Sequence, residues 1–315
     1  MNTFGRQLRL TTFGESHGVA LGGVIDGMPA GLSVAYKRID SALQRRRNGD
    51  GETDATTQRK EADTIEWLSG LLDGVTTGQP ITFIIRNHDT RSEDYDEIRR
   101  WLRPGHADRT VMMRYGIRDW RGGGRSSGRE TVVRVVAGML ARQLCERWWP
   151  HFTVESHVDA THCVVCTIQG VPAGIGTPLF DRVSARMAHA IMSIPSAIGY
   201  ESGVGFAAAQ WDGHQWRDEW NADGSTQTNH CGGIQGGISN GMPITFRAAF
   251  HAPVTTIGPT HCLDVESPTV TEVHINGRHD IDHISRIPVI VESMACLTLA
   301  DIALSQSQPY DQNKQ

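Results

Sequence analysis

The chain has 315 residues, 39% hydrophobic and 21% charged, enough to bury a sizeable core in one large domain or two ordinary ones. It has no run of about 18 apolar residues, the length a membrane crossing needs, and its start, "MNTFGRQLRL", lacks the apolar core of a secretion signal. A net charge of −5 with no interleaving of aromatic and basic residues argues against nucleic acid as a partner, and six scattered cysteines read as free thiols of a reducing cytoplasm.

In chain order, a short N-terminal strand leads into "TTFGESHGVALGG", where small residues surround His17. The stretch "VIDGMPAGL" (24–32) then opens a unit that closes with "GLLDGVTTGQPITF" (70–83). Both return later, as "TIQGVPAGI" (167–175) and "GIQGGISNGMPITF" (233–246), the second pair aligning without a gap at seven identities in fourteen positions. Glycines at fixed offsets mark turns, and the flanking "PITFII" and "PITFRAAF" are rich in strand-forming residues. The chain therefore reads as a single domain, 1–315, of two similar halves at about 20–87 and 163–250, with an α+β fold in which sheets sandwich helices.

Between the halves, residues 99–142 hold eleven arginines and three acids, Asp108, Asp119 and Glu130, which makes this segment +8 and the rest of the chain −13. Arginine used without lysine points to forked recognition of phosphate or carboxylate. Here His106 sits in "RPGHADR", between Arg103 and Arg109, where its neutral form is favoured until an anion arrives. The loop "RGGGRSSGRET" (121–131) follows. Ser127 and Glu130 form a capping-box pattern, which predicts a helix start near Gly128. Val133, Val136, Leu140, Leu144 and Trp148 recur at spacings of three and four and predict one apolar helical face. A helix start beside Arg125 and Arg129 suits an anion. No Gly-Lys-Ser/Thr ending makes it a nucleotide-hydrolase loop, and no Gly-x-Gly-x-x-Gly follows a strand. "HCVVC" (162–166) lies in a strand-like run that turns Cys163 and Cys166 to opposite faces, so no metal site is expected. Near the end, "NGRHD" (276–280) sets Arg278 and Asp280 on one face of extended backbone.

Taken together, "GESHG" (14–18), "RRR" (45–47), "TTQRKEAD" (56–63), "RPGHAD" (103–108), "YGIRDWRGGGRSSGRET" (115–131), "GVPAG" (170–174), "GGIQGGISNGMPI" (232–244) and "GRHD" (277–280) resemble the chorismate synthase family, in the family's order and over nearly the whole chain. That resemblance implies a β-α-β sandwich of two halves and a cytoplasmic homotetramer. It implies anti-1,4-elimination of phosphate from 5-enolpyruvylshikimate 3-phosphate, giving chorismate in the shikimate route to aromatic amino acids. Reduced FMN is the implied cofactor, supplied by an external reductant, with NADP the associated redox carrier. Carried over residue by residue, His106 resembles the acid that protonates the leaving phosphate and His17 the histidine beside the flavin. Asp280 resembles the aspartate that accepts, through flavin N5, the proton lost from the substrate. Arg125, Ser126, Ser127, Gly236 and Arg278 match flavin contacts, and Arg46, Arg103 and Arg129 match substrate-binding arginines.

The sequence also departs from the family pattern. Asp54 stands about where an arginine usually touches substrate, His251 replaces a flavin-contacting lysine, and Gly128 replaces a common alanine. The stretch after "RQLCERWW" is short. These departures leave a second reading, a non-catalytic relative that binds flavin or another anion.

Overall fold

A computed structural model describes residues 2–49, 61–88, 99–254, 258–267, 269–274 and 283–306. In the first part of the chain lie β1 (Thr3–Phe4), β2 (Arg9–Phe13), β3 (Ala20–Asp26), α1 (Tyr36–Asn48), β4 (Ile65–Ser69), β5 (Leu71–Leu72), β6 (Val75–Thr76) and β7 (Ile81–Arg86). The middle contributes β8 (Trp101–Leu102), α2 (Asp108–Tyr115) and α3 (Thr131–Trp148). Then come β9 (Thr153–Val158), β10 (Cys163–Gln169), α4 (Val183–Met192), β11 (Ala197–Ser202), α5 (Gly213–Trp216), β12 (Ile234–Gln235), β13 (Ile238–Ser239), β14 (Ile244–Phe250), β15 (Pro259–Asp264), β16 (Val270–His274) and α6 (Ile287–Ser305).

Strand alternation builds the two largest antiparallel sheets. Ile81, Phe83 and Ile85 of β7 point into the core, as do Ile244, Phe246, Ala248 and Phe250 of β14, with less buried residues between them. The first sheet has the order β1-β2-β3-β7-β4 and the second β11-β14-β10-β9. Helix α3 packs on β2 and β3, while α6 packs on β9 and β10 and against α3, so helices fill the space between the sheets. The α3–α6 crossing is close: a Cβ added at Gly138 would lie 2.3 Å from Ser293 Cβ. One apolar core runs through both sheets and the helices, from Leu8 to Ile302. The architecture is α+β.

The repeated sequences make repeated hydrogen bonds. In the first half Gly31 N donates to Thr76 O at 2.8 Å, Leu32 N to Thr76 Oγ1 at 2.9 Å, and Thr76 Oγ1 to Pro29 O at 2.7 Å. In the second half Gly174 N donates to Ser239 O at 2.9 Å, Ile175 N to Ser239 Oγ at 2.9 Å, and Ser239 Oγ to Pro172 O at 2.6 Å. Each set of bonds ties the Pro-Ala-Gly turn to the second strand of a two-residue hairpin whose turn residues have positive φ, 49° and 77° at Asp73 and Gly74, 60° and 93° at Gly236 and Gly237.

Three local expectations are corrected. Helix α3 is buried around most of its circumference, because it lies between a sheet and α6 rather than on the surface; Val132, Val135 and Ala137 are as buried as Val133 and Val136. Its start is only half a capping box. Ser127 Oγ accepts from Arg129 N at 3.3 Å, but Glu130 turns to Arg134 Nε at 2.9 Å, and a 3₁₀ turn, Gly128–Glu130, precedes the helix. The segment Ile284–Ser305 is long and apolar enough to cross a membrane, against the sequence reading, yet nearly all of it is buried inside the fold, where Glu292 and Asp301 are hydrogen bonded. Cys166 faces the core and Cys163 the opposite face of β10, and all six cysteines are free thiols.

Candidate active site

The residues before β3 form a turn closed by Gly18 N on Glu15 O at 3.0 Å, with Ser16 and His17 at its corner. The glycine-rich loop lies directly on it. Ser16 N donates to Gly124 O at 3.3 Å, and a Cβ built on Gly122 would stand 2.9 Å from His17 Cδ2 and 3.1 Å from Nε2. Glycine is needed at 122 twice over, for this contact and for its φ of +70°. Arg125 fastens the loop to the end of β2, donating to Gly14 O at 3.1 Å, Thr12 O at 3.2 Å and Thr12 Oγ1 at 2.6 Å. Ser126 is exposed beside it at the end of the short turn Gly124–Ser126.

A second motif reaches the same loop. Arg103, buried, makes a forked pair with Asp108 at 2.9 and 3.1 Å and also donates to Gly122 O at 3.1 Å. Arg118 joins Asp108 at 3.2 Å. Burial opposes the charge on Asp108, but the bonds from Arg103 outweigh it and hold the carboxyl below its ordinary range. Two residues from Pro104, His106 is half-buried, its Nδ1 lying 3.1 Å from Pro104 O. A carbonyl can only accept, so Nδ1 carries a proton and Nε2 is the nitrogen that can exchange one with a ligand. Val254 packs against Gly105, 3.1 Å from where a Cβ would stand, so the segment begun by His251 lies beside the His106 turn. His251 Nδ1 meets Ala252 O at 2.7 Å, and its ring is 6.5 Å from that of His283.

The three arginines ending α1 diverge. Arg45 makes two bonds to Glu292 of α6, at 2.8 and 3.0 Å, and Arg47 reaches the backbone at Glu61 and Ala62. Arg46 is buried against the start of α3, donating to Thr131 Oγ1 at 3.1 Å and Gly128 O at 3.3 Å, with Asp63 Oδ2 at 3.4 Å. The other oxygen of Asp63, a wholly buried carboxylate, accepts from Arg129 Nη1. Glu61 stands 4.0 Å from Arg129 Nη2, and Asn87 Oδ1 accepts from Arg129 Nε at 3.2 Å.

His17, Arg46, Arg103, Arg125, Ser127 and Arg129 are thus joined by direct contacts around one loop. Gly236 lies at the exposed tip of the β12–β13 hairpin, outside those contacts among the described residues. Asp54, Arg278 and Asp280 fall outside the described residues. Many arginines of the basic segment are held by the chain's own carboxylates: Arg103 and Arg118 pair with Asp108, Arg121 with Asp119 and Arg134 with Glu130, while Arg100 with Asp264 and Arg142 with Glu146 draw on acids outside the segment. Sequence reasoning passed over Asp63, Asn87, Asp108 and Gly122. Asp63 and Asp108 stood inside quoted motifs; Asp108 lies five residues from its partner Arg103, a spacing that could have signalled the pair, whereas Asp63 meets Arg46 and Arg129, 17 and 66 residues away, which no local spacing signals.

Two sheets around a helical layer, with buried arginines and a histidine gathered about one glycine-rich loop, give the class of fold and site. The sequence model of the family described as chorismate synthase matches residues 8–164 and 159–304. A chorismate synthase of Christiangramia forsetii is 43% identical over 347 aligned residues, covering 96% of this chain and 97% of that protein. One of Methanocella arvoryzae is 40% identical over 353, covering 96% and 94%. A solved crystal structure of chorismate synthase has a TM-score of 0.71 at 26% identity, covering 96% of this chain and 93% of that one. The chain belongs to the chorismate synthase family, and the activity that comes with membership is that of a lyase forming chorismate. The aligned 347 exceeds the 315 residues present, and the two family matches meet at 159–164. That is the tight β9–β10 turn, closed by Asp159 Oδ1 accepting from Thr161 N at 2.8 Å and Cys163 N at 3.1 Å.

Proposed function

We propose that the chain eliminates phosphate from 5-enolpyruvylshikimate 3-phosphate at the site around the "RGGGRSSGRET" loop, with reduced FMN as cofactor. The observation that carries this placement is the meeting at Gly122 of three motifs far apart in sequence: its backbone lies on His17, and its carbonyl accepts from Arg103, three residues from His106. The donors suit an anionic cofactor. Arg125, Ser126 and Ser127 stand together in the glycine-rich loop just ahead of α3, Ser126 exposed, and the loop packs on the His17 turn. Those residues would hold the flavin, with Gly236 and His251 reaching it from the second half and Arg278 as a further contact. When bound, reduced FMN supplies an electron transiently to the substrate and takes it back.

The rest is done by the chain itself. Arg46, Arg103 and Arg129 hold the phosphate and carboxylates; each is pre-set by an internal carboxylate, Asp63 or Asp108, so little order is lost on binding. His106 gives a proton from Nε2 to the phosphate as the carbon–oxygen bond breaks, while Pro104 O at Nδ1 fixes the ring. Asp280 receives the proton removed from C6, and His17 orients the groups beside the flavin. We read residues 1–315 as one domain, supported by the large core that joins both sheets and the helices. We also read a cytoplasmic homotetramer, fed by an outside flavin reductant drawing on NADP. Exposed Met113, Tyr115, Ile117, Leu179, Phe180 and Phe206 support assembly, being apolar surface that a monomer would leave in water.

The test is chorismate formation from the phosphorylated substrate with chemically reduced FMN under anaerobic conditions. Turnover is expected, and His106→Ala lowers kcat by roughly 10²-fold or more with flavin binding retained. No turnover by folded, flavin-loaded protein would overturn the proposal, and an unchanged rate in His106→Ala would remove that residue from it.

A further inference from the structure

Asn87 follows the last residue of β7, and its backbone N–H donates to Val19 O at 3.1 Å, continuing the ladder beyond the Ala20–Arg86 pair. Its side chain bonds two different parts of the site. Nδ2 donates to Glu15 O at 3.1 Å and to Gly18 O at 2.8 Å, the two ends of the turn that carries His17. Oδ1 accepts from Arg129 Nε at 3.2 Å. The partners fix the amide orientation, since two carbonyls require the N–H₂ and a guanidinium requires the oxygen. Arg129 is held on its other side by Asp63, which also faces Arg46. A continuous set of polar contacts therefore runs from α1 through Asp63 and Arg129 to the His17 turn, and Asn87 is its last link.

We propose that Asn87 is a positioning residue for the elimination, setting the His17 turn at a fixed distance from the arginine pair that holds the substrate. It acts through His17 and Arg129 and so rests on the roles given to them above. An amide serves because the neighbours on one side are acceptors and on the other a donor. Carboxylate, hydroxyl and alkyl groups each fail at least one side. The two functions are separable by substitution. Asn87→Asp has the same size and still accepts from Arg129, but sets a carboxylate oxygen against the Glu15 and Gly18 carbonyls and so releases only the turn. Asn87→Ser is too short to reach either side.

The experiment measures kcat and KM for the phosphorylated substrate with saturating reduced FMN, alongside thermal melting. Asn87→Asp is expected to lower kcat by about 10²-fold, the scale of a misplacement near 1 Å, with KM within about threefold of wild type. Asn87→Ser is expected to lower kcat and also raise KM, by about tenfold for the lost bond to a charged donor. Because Asn87→Ser introduces no charge, it keeps the test open should Asn87→Asp fail to fold. A kcat within threefold of wild type in either folded variant, or a loss in Asn87→Asp confined to KM, would overturn the proposal alone. Arg129→Lys separates the underlying reading: a raised KM supports it, whereas an unchanged KM with full turnover would remove the substrate role of Arg129 and this proposal with it.

Discussion

Gly122→Ala is the substitution whose cost can be worked most directly from the structure. At φ +70° an alanine occupies the left-handed region at a cost of about 1–2 kcal/mol. Its Cβ would also stand 2.9 Å from His17 Cδ2, 3.1 Å from Nε2 and 3.2 Å from Ser16 Oγ. Carbon contacts settle near about 3.5–4 Å, so the imidazole must retreat by roughly half an ångström or more. A total near 2 kcal/mol corresponds to a melting temperature lower by about 3 °C in a chain of 315 residues. The ring displacement is expected to reduce kcat by roughly 10–100-fold while KM changes little. Gly128→Ala is the control from the same loop. It has nothing within 4 Å of its added Cβ and lies in the first position of a 3₁₀ turn, so it gains about 0.4–1 kcal/mol of stability and keeps its rate. Steady-state kinetics and calorimetry on the two variants decide the matter. A Gly122→Ala enzyme with kcat within twofold of wild type, or a Gly128→Ala enzyme equally damaged, would refute the reasoning.

Asp301→Ala removes a fully buried carboxylate that accepts from the backbone N–H groups of Arg6, Gln7 and Leu8 and from Arg186; urea unfolding should show a loss of about 3–5 kcal/mol. Burial pushes the thiols of Cys145, Cys166 and Cys296 up, so a thiol reagent at pH 8 should label none of them until the protein is unfolded, whereas the half-buried Cys163 reacts in the native state. Burial of Asp218 opposes its charge, but bonds from Thr228, His230 and Cys231 outweigh it and hold the carboxyl at about 2; bonds from Thr161 and Cys163 hold Asp159 at about 2. Both lie below the unfolded value, so their contribution is present above pH 4 and is lost as pH falls towards 2. The urea midpoint should drop over that interval, and less steeply in Asp218→Asn.

Much of the architecture was legible in the chain. The paired "PAG" and "PITF" segments foretold matching turns and strands because turn geometry and side-chain alternation are local properties, written within a dozen residues. Those same segments make the matching bonds of Thr76 and Ser239. The glycine-rich loop before α3, with its serine at the helix start, was legible for the same reason. What local pattern could not show was neutralisation and burial. The arginine-rich segment read as forked recognition of a phosphate or carboxylate ligand, yet Arg100, Arg103, Arg118, Arg129 and Arg134 all meet the chain's own carboxylates, those of Arg100 and Arg129 lying far off in sequence. Helix α3 read as one-sided because a period reports which face is apolar and not how many neighbours surround it. The sequence by itself determined which residue types and turns the chain carries. Only the tertiary structure decided that Gly122 rests on His17, and that Asn87 bonds the turn of one half-site to the arginine of the other. Such contacts need strands and loops distant along the chain to converge, and hydrogen bonds a few ångströms long are set by that convergence rather than by spacing in sequence.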